Sequence, residues 1–168
     1  MADEGILDPL GLFFMAWRGF VGQADNILAK RKLGRVHHRV LYTVARMPGV
    51  SVGDLAASLG ISRQALHRPL PHLLDQGFVR CAVASEARRV RELSLTAAGR
   101  KLEEQVSATQ IELLKKVLKA AGPEASEGWF SVMWMLADPV LARAPAPVRK
   151  AFVDMRDNPR QASGSRLK

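Results

Sequence analysis

The sequence predicts a mainly α-helical chain carrying one small β-hairpin, and three observations support that expectation. Apolar residues recur at spacings of three and four over most of the length. The period changes to near alternation only across 78–84 and 89–95. Helix stops stand at Pro48-Gly49, Gly60, Gly77 and Gly122-Pro123. With 168 residues, 48% hydrophobic and 24% charged, the chain has material for one core with elaborated ends.

A first helix over 10–32 sets Phe13, Phe14, Trp17, Phe20, Val21, Ala24, Ile27 and Leu28 along one stripe. That is a heavy aromatic load for a terminal helix. A second subunit would absorb it, although an ordinary core helix shows the same stripe. A second helix over 36–47 turns Val40, Leu41 and Val44 inward. Ser51 then has the form of an N-cap with Asp54 three residues on, and Val50 can pack on Leu55. That short helix ends at Leu59-Gly60, where Gly suits the left-handed C-terminal position. Ser62 caps the next helix, which is expected to run to about Gln76.

The two alternating stretches flank the polar Ser85-Glu86-Ala87-Arg88, the form of a hairpin. Thr96 caps a long helix with a Leu102, Val106, Thr109, Leu113 and Val117 stripe, ending at Gly122. Pro123 opens a last helix through about Ala137 that carries Trp129, Val132, Met133 and Leu136. Beyond it Pro139, Pro145, Pro147 and Pro159 interrupt the pattern, leaving room for one short helix near 148–156 and a frayed, basic end.

The two short helices joined by the Gly60 turn form a helix-turn-helix. The first packs across the second through Leu55, Ala56 and Leu59, which frees the start of the second for a major groove. Leu66, Leu70 and Leu73 point to the core, while Ser62, Arg63, Gln64, His67 and Arg68 form the candidate reading surface. Arg can fork to guanine and Gln to adenine, and Ser62 with free amides can hold a phosphate. The hairpin adds a wing, with Arg80, Arg88, Arg89 and Arg91 on or near it; Arg88, Arg89 and Arg91 are the candidate wing contacts.

Charge agrees. The formal net charge is +9, and residues 33–100 hold ten Arg against Asp54, Asp75, Glu86 and Glu92, a surplus of +6. The planar guanidinium suits phosphate and base edges, so duplex DNA fits better than a membrane surface.

Across 50–100 the chain resembles the MarR family of winged-helix regulators. The resemblance lies in Val52-Gly-Asp-Leu55-Ala, Leu59-Gly-Ile-Ser62-Arg, the Leu73 to Val79 stretch, and Arg88-Arg-Val-Arg-Glu-Leu-Ser-Leu-Thr96-Ala-Ala-Gly99. By helix layout alone it extends over about 10–137. It implies a winged helix-turn-helix flanked by dimerisation helices, a homodimer on a palindromic operator, and a repressor released by a small ligand or by oxidation. On that layout residues 1–34 form an N-terminal dimerisation helix, 35–96 the winged domain, 97–140 the C-terminal dimerisation helices and 141–168 a partly disordered extension. Phe13, Phe14, Trp17, Trp129 and Trp134 become candidate dimer contacts, and Trp17, His37 and His38 a candidate ligand pocket.

Two departures stand out. Ala87 occupies the place where the family usually has an Asp before the paired arginines. Pro69 and Pro71 fall inside the expected recognition helix, each costing roughly 3 kcal/mol or more unless the helix kinks. The turns from Arg63 to His67 are expected to stay helical ahead of that kink. These departures support an alternative, a winged-helix protein-interaction module that has lost specific DNA binding.

The single Cys81 excludes an internal disulfide and a cysteine-built metal site, and is expected to be an inert buried thiol. No enzyme motif, cofactor loop or metal-ligand grouping is present in the sequence. Asp3, Glu4 and Arg18 exclude a signal peptide, and Leu10 to Trp17 is too short to span a bilayer. A cytoplasmic setting is the simplest.

Overall fold

The computed structural model describes residues 7–83 and 91–157. Helix α1 (Leu7–Ala29) leads to α2 (Arg35–Arg46), strand β1 (Val50–Ser51) and α3 (Val52–Leu59). A single 3₁₀ turn (Arg63–Leu66) precedes α4 (Pro69–Asp75). Strands β2 (Val79–Val83) and β3 (Arg91–Leu95) form the wing, and α5 (Ala97–Ala121), α6 (Pro123–Leu141) and α7 (Ala146–Asp157) complete the chain.

The caps read from the sequence are in place. Ser51 Oγ accepts the Asp54 amide at 3.0 Å, Ser62 Oγ that of Ala65 at 3.2 Å, and Thr96 Oγ1 that of Gly99 at 3.0 Å. Gly60 closes α3 in the left-handed region, with φ 65°. Thr96 also ties α5 to the root of the wing, donating its hydroxyl to the Gly77 carbonyl at 2.7 Å and its amide to the Phe78 carbonyl at 3.1 Å. The approach is so close that a Cβ at Gly99 would collide with the Phe78 carbonyl, which explains the Gly of the Leu-Thr-x-x-Gly run.

The core sits in the winged segment. Val40, Leu41, Val44, Leu55, Leu66, Leu73 and Leu93 are fully buried there, joined from α1 by Ala24 and Leu28 and from α5 by Leu102 and Val106. One strand escaped the sequence reading: β1 is only two residues long, and Val50 read as a helix staple. It pairs antiparallel with β3 through Val50 and Leu93, giving a three-stranded sheet in the order β1-β3-β2.

Three expectations are corrected. The recognition helix is not continuous: its first turn is 3₁₀, and an α-helix restarts at Pro69. Both prolines thereby fall in the first turn of α4, where amides have no acceptor within the helix, so the expected penalty does not arise. Cys81 is exposed rather than buried, because β2 is an edge strand on which Val79 is buried while Arg80, Cys81 and Ala82 face solvent. Helix α6 runs through Pro139 to Leu141 and buries no side chain fully: of its expected stripe, Trp129 and Met133 are partly covered while Val132 and Leu136 stay exposed. The short helix expected near 148–156 is present as α7, about three turns long.

Candidate nucleic-acid interface and cavity

The 3₁₀ turn and the start of α4 build the reading surface. Leu66, Pro69, Leu70 and Leu73 are buried beneath it. Ser62, Arg63, Gln64, His67 and Arg68 are all exposed, so one short segment presents five polar side chains on an apolar base. Ser62 already uses its oxygen to cap the turn, leaving its hydroxyl hydrogen to donate. Arg63 folds back over the first turn of α3: a Cβ at Gly53 would lie 2.6 Å from its guanidinium. The absence of a side chain at Gly53 therefore gives Arg63 its place, a role that spacing alone did not show.

On the wing, Arg80 Nε donates to Ser94 Oγ at 2.8 Å across the β2–β3 pair. Arg91 is exposed at the outer end of β3, opposite Val83. The candidate tip contacts Arg88 and Arg89, with Ala87, lie outside the described residues.

A cavity of about 340 Å³ lies between α1, α2 and α7, at the junction of the winged segment and the helical ends. Its size is that of a small-molecule site. Trp17, Phe20, Tyr42 and Phe152 supply aromatic walls, and Arg35, His38, Arg39 and Arg46 supply polar ones. Two of these arginines are neutralised. Arg35 forks to Asp25 with contacts of 2.7 and 2.9 Å, and that hydrogen bond raises the Arg35 pKa. Arg46 donates to the buried Glu103 at 3.0 Å and lies 3.3 Å above the Tyr42 ring. Arg39 donates to the Leu59 carbonyl at 2.6 Å and pairs with no carboxylate among the described residues. The lining is thus apolar with one uncompensated positive charge.

The two expected histidines separate. His38 lines the cavity, and its Nε2 lies 3.2 Å from Ser107 Oγ, which in turn donates to Glu103 at 2.8 Å. The one hydroxyl hydrogen of Ser107 is committed to the carboxylate, so Nε2 of His38 must be the donor to Ser107. Burial lowers the His38 pKa, with Arg46 adding to the effect and Glu103 opposing it. His37 is absent from the lining: its Nδ1 accepts the Gly34 amide at 3.0 Å, and its ring meets that of His72 edge-on at 5.2 Å. Burial first and His72 second lower its pKa. Adjacent residues on a helix diverge by about 100°, which explains the separation.

None of the expected dimer contacts is fully buried within the chain. Phe13, Phe14 and Trp17 are about half exposed, and Trp129 and Trp134 are partly covered. Among the described residues no group of three or more His, Cys, Asp or Glu could hold a metal ion. No described helix is long and apolar enough to cross a membrane.

A family model for the MarR family matches residues 32–89, a span that includes α2, β1, α3, the 3₁₀ turn, α4 and β2. The transcriptional regulator PetP of Rhodobacter capsulatus, of the HTH type, is 36% identical over 143 residues, covering 85% of this chain and 86% of that protein. The chain belongs to the MarR family. Solved structures agree in fold. NadR in complex with 4-hydroxyphenylacetate matches at a TM-score of 0.64 and 25% identity, over 78% of this chain and 90% of that one. The S. aureus MepR–DNA complex matches at 0.64 and 18%, over 77% and 94%. As a MarR-family member the chain is a DNA-binding transcriptional regulator rather than an enzyme.

Proposed function

We propose that this MarR-family chain is a cytoplasmic homodimeric repressor that reads a palindromic operator and is released by a small aromatic acid. The observation that carries the DNA half is the exposed set Ser62, Arg63, Gln64, His67 and Arg68 on buried Leu66, Leu70 and Leu73. Arg63 and Gln64 reach base edges in the major groove, while Ser62 and Arg68 hold phosphates. Arg91, with Arg88 and Arg89, follows the backbone or the minor groove. Two copies join through the apolar faces of α1, α5 and α6, which expose Phe13, Phe14, Ile111, Val117, Phe130 and Leu136.

The cavity supports the effector half. Its aromatic walls and single uncompensated Arg39 suit a lipophilic monoanion, the chemistry of the 4-hydroxyphenylacetate carried by NadR. The test of the DNA reading is a titration with duplexes from around the protein's own gene at two salt concentrations. Binding is expected to be sequence-selective and to weaken steeply with salt, and Arg63→Ala/Gln64→Ala is expected to abolish the selectivity. Binding no tighter than to random duplex, and unaltered in the double variant, would instead favour the protein-interaction reading.

A further inference from the structure

Helix α7 closes one side of the cavity with its own side chains. Val148 and Phe152, one turn apart on α7, both line the space that Trp17, His38 and Tyr42 bound from the other side. The helix comes back to this position through a turn of four residues after Leu141. Further along, Arg156 ties it to α6: its guanidinium donates to Asp138 at 3.3 Å and lies 5.4 Å from the Trp134 ring. Both members of that ion pair are about half exposed, so solvent screens it and it holds weakly. Val148, Phe152 and Arg156 follow one another at every fourth residue on one stripe of α7, so the apolar contact sits in its first turns and the polar tie at the end away from the turn. That is the build of a flap with a latch.

We propose that α7 is a hinged cover over one side of the cavity: Val148 and Phe152 narrow it, Arg156 latches α7 to α6, and access widens when α7 lifts. Only the nature of the ligand rests on the effector reading given above; the cover stands on the geometry of α6, α7 and the cavity. A half-buried thiol on the cavity wall reports on it directly. Thr43 lines the cavity, so Thr43→Cys in a Cys81→Ser background carries a single thiol behind α7. Its alkylation by N-ethylmaleimide in the full-length chain is expected to be slow. Val148→Asp/Phe152→Asp is expected to speed it by about tenfold or more and Arg156→Ala by about threefold, because each raises the population of the lifted state. Phe152→Leu, which keeps an apolar contact, is expected to label near the parental rate. Equal rates in the parent and both opened variants overturn the cover. Arg156→Ala decides the matter if the double variant does not fold, since it leaves the cavity lining intact. Repeating the assay with 4-hydroxyphenylacetate separates the two ideas. Slower labelling with ligand but no effect of α7 variants leaves a ligand site without a cover. A strong effect of α7 variants with no effect of that acid leaves the cover and removes this effector class.

Discussion

The winged segment and the helical ends have similar helical periodicity in sequence and opposite fates in the fold. Leu55 in α3 is 0% exposed, closed in by α2, β3 and the 3₁₀ turn. Leu136 in α6, on an equally regular apolar stripe, is 59% exposed, and no residue of α6 is buried. The first half of α1 and the second half of α5 behave like α6: Phe14, Met15, Ile111 and Val117 all face outward. An amphipathic pattern states that a face is apolar; it does not state which molecule covers it. In this chain one region completes its core internally, and among the described residues the other leaves an apolar surface open, the face that the proposed dimer would cover.

The sharpest break of that comparison is a pair of matched truncations. Leu55→Ala is expected to cost about 3 kcal/mol of folding stability, since the removed methyls leave a cavity in a closed core. That loss should be the same at every protein concentration. Leu136→Ala should instead leave the fold of the separate chain within about 0.5 kcal/mol of the parent, as for other exposed sites. Its effect should appear in self-association, and so in the concentration dependence of the unfolding midpoint. Urea unfolding at two protein concentrations a hundredfold apart, roughly, checks both. A loss at Leu136 as large as at Leu55 in dilute protein would mean that α6 packs on its own chain.

The same comparison explains what the sequence made legible. Caps at Ser51, Ser62 and Thr96, the Gly60 turn and the change of period at the wing are local signals, read within four residues of where they act. They placed the winged segment and its five exposed polar residues. What failed depended on partners distant in the chain. Cys81 alternates correctly with Val79, but only the sheet order shows that β2 is an edge. Pro69 and Pro71 looked like defects because the pattern ran on from Ser62; a restart at Pro69 turns them into ordinary first-turn residues. His37 and His38 looked like one site, although one caps α2 and the other joins a network through α5. Glu103 gave no signal at all: a charged residue on a long helix reads as solvated, and only the fold brings Arg46 and Ser107 to it.

That network crosses the seam between the two regions, and removing its cation is the second expected effect in size. Glu103 is 4% exposed and Arg46 donates to it from α2. Arg46→Ala strands a carboxylate beside Ser107 and also strips the cover from Tyr42. The expected loss is about 1–3 kcal/mol, below that of a fully buried pair because the Arg46 side chain remains partly in contact with water. Arg46→Ala/Glu103→Gln should recover part of it, since the stranded charge is then gone. Chemical denaturation of the two variants checks this, and equal losses in both would show that the stranded carboxylate is not what costs stability, leaving the loss to the other contacts of Arg46.

The smallest expected effect is a pH dependence carried by the same seam. His37 and His38 both have pKa values lowered from the ordinary 6.5, chiefly by burial. Lowered values mean that the unfolded chain binds these protons more readily than the folded one, so stability is present above pH 6.5 and falls as the pH drops through the folded values. Geometry gives the same sign. A proton on Nδ1 of His37 removes the acceptor of the Gly34 amide and sets a charge beside His72, and a charged His38 sits near Arg46. His37→Asn/His38→Gln retains polar groups at both positions without the titration. Its unfolding midpoint is expected to vary less between pH 5 and 6.5 than the parent's, while carboxylates, with ordinary pKa values near 4, act mainly below that window. An equally steep fall in both proteins would place the acid sensitivity outside the seam, leaving the α2 histidines as structural caps alone.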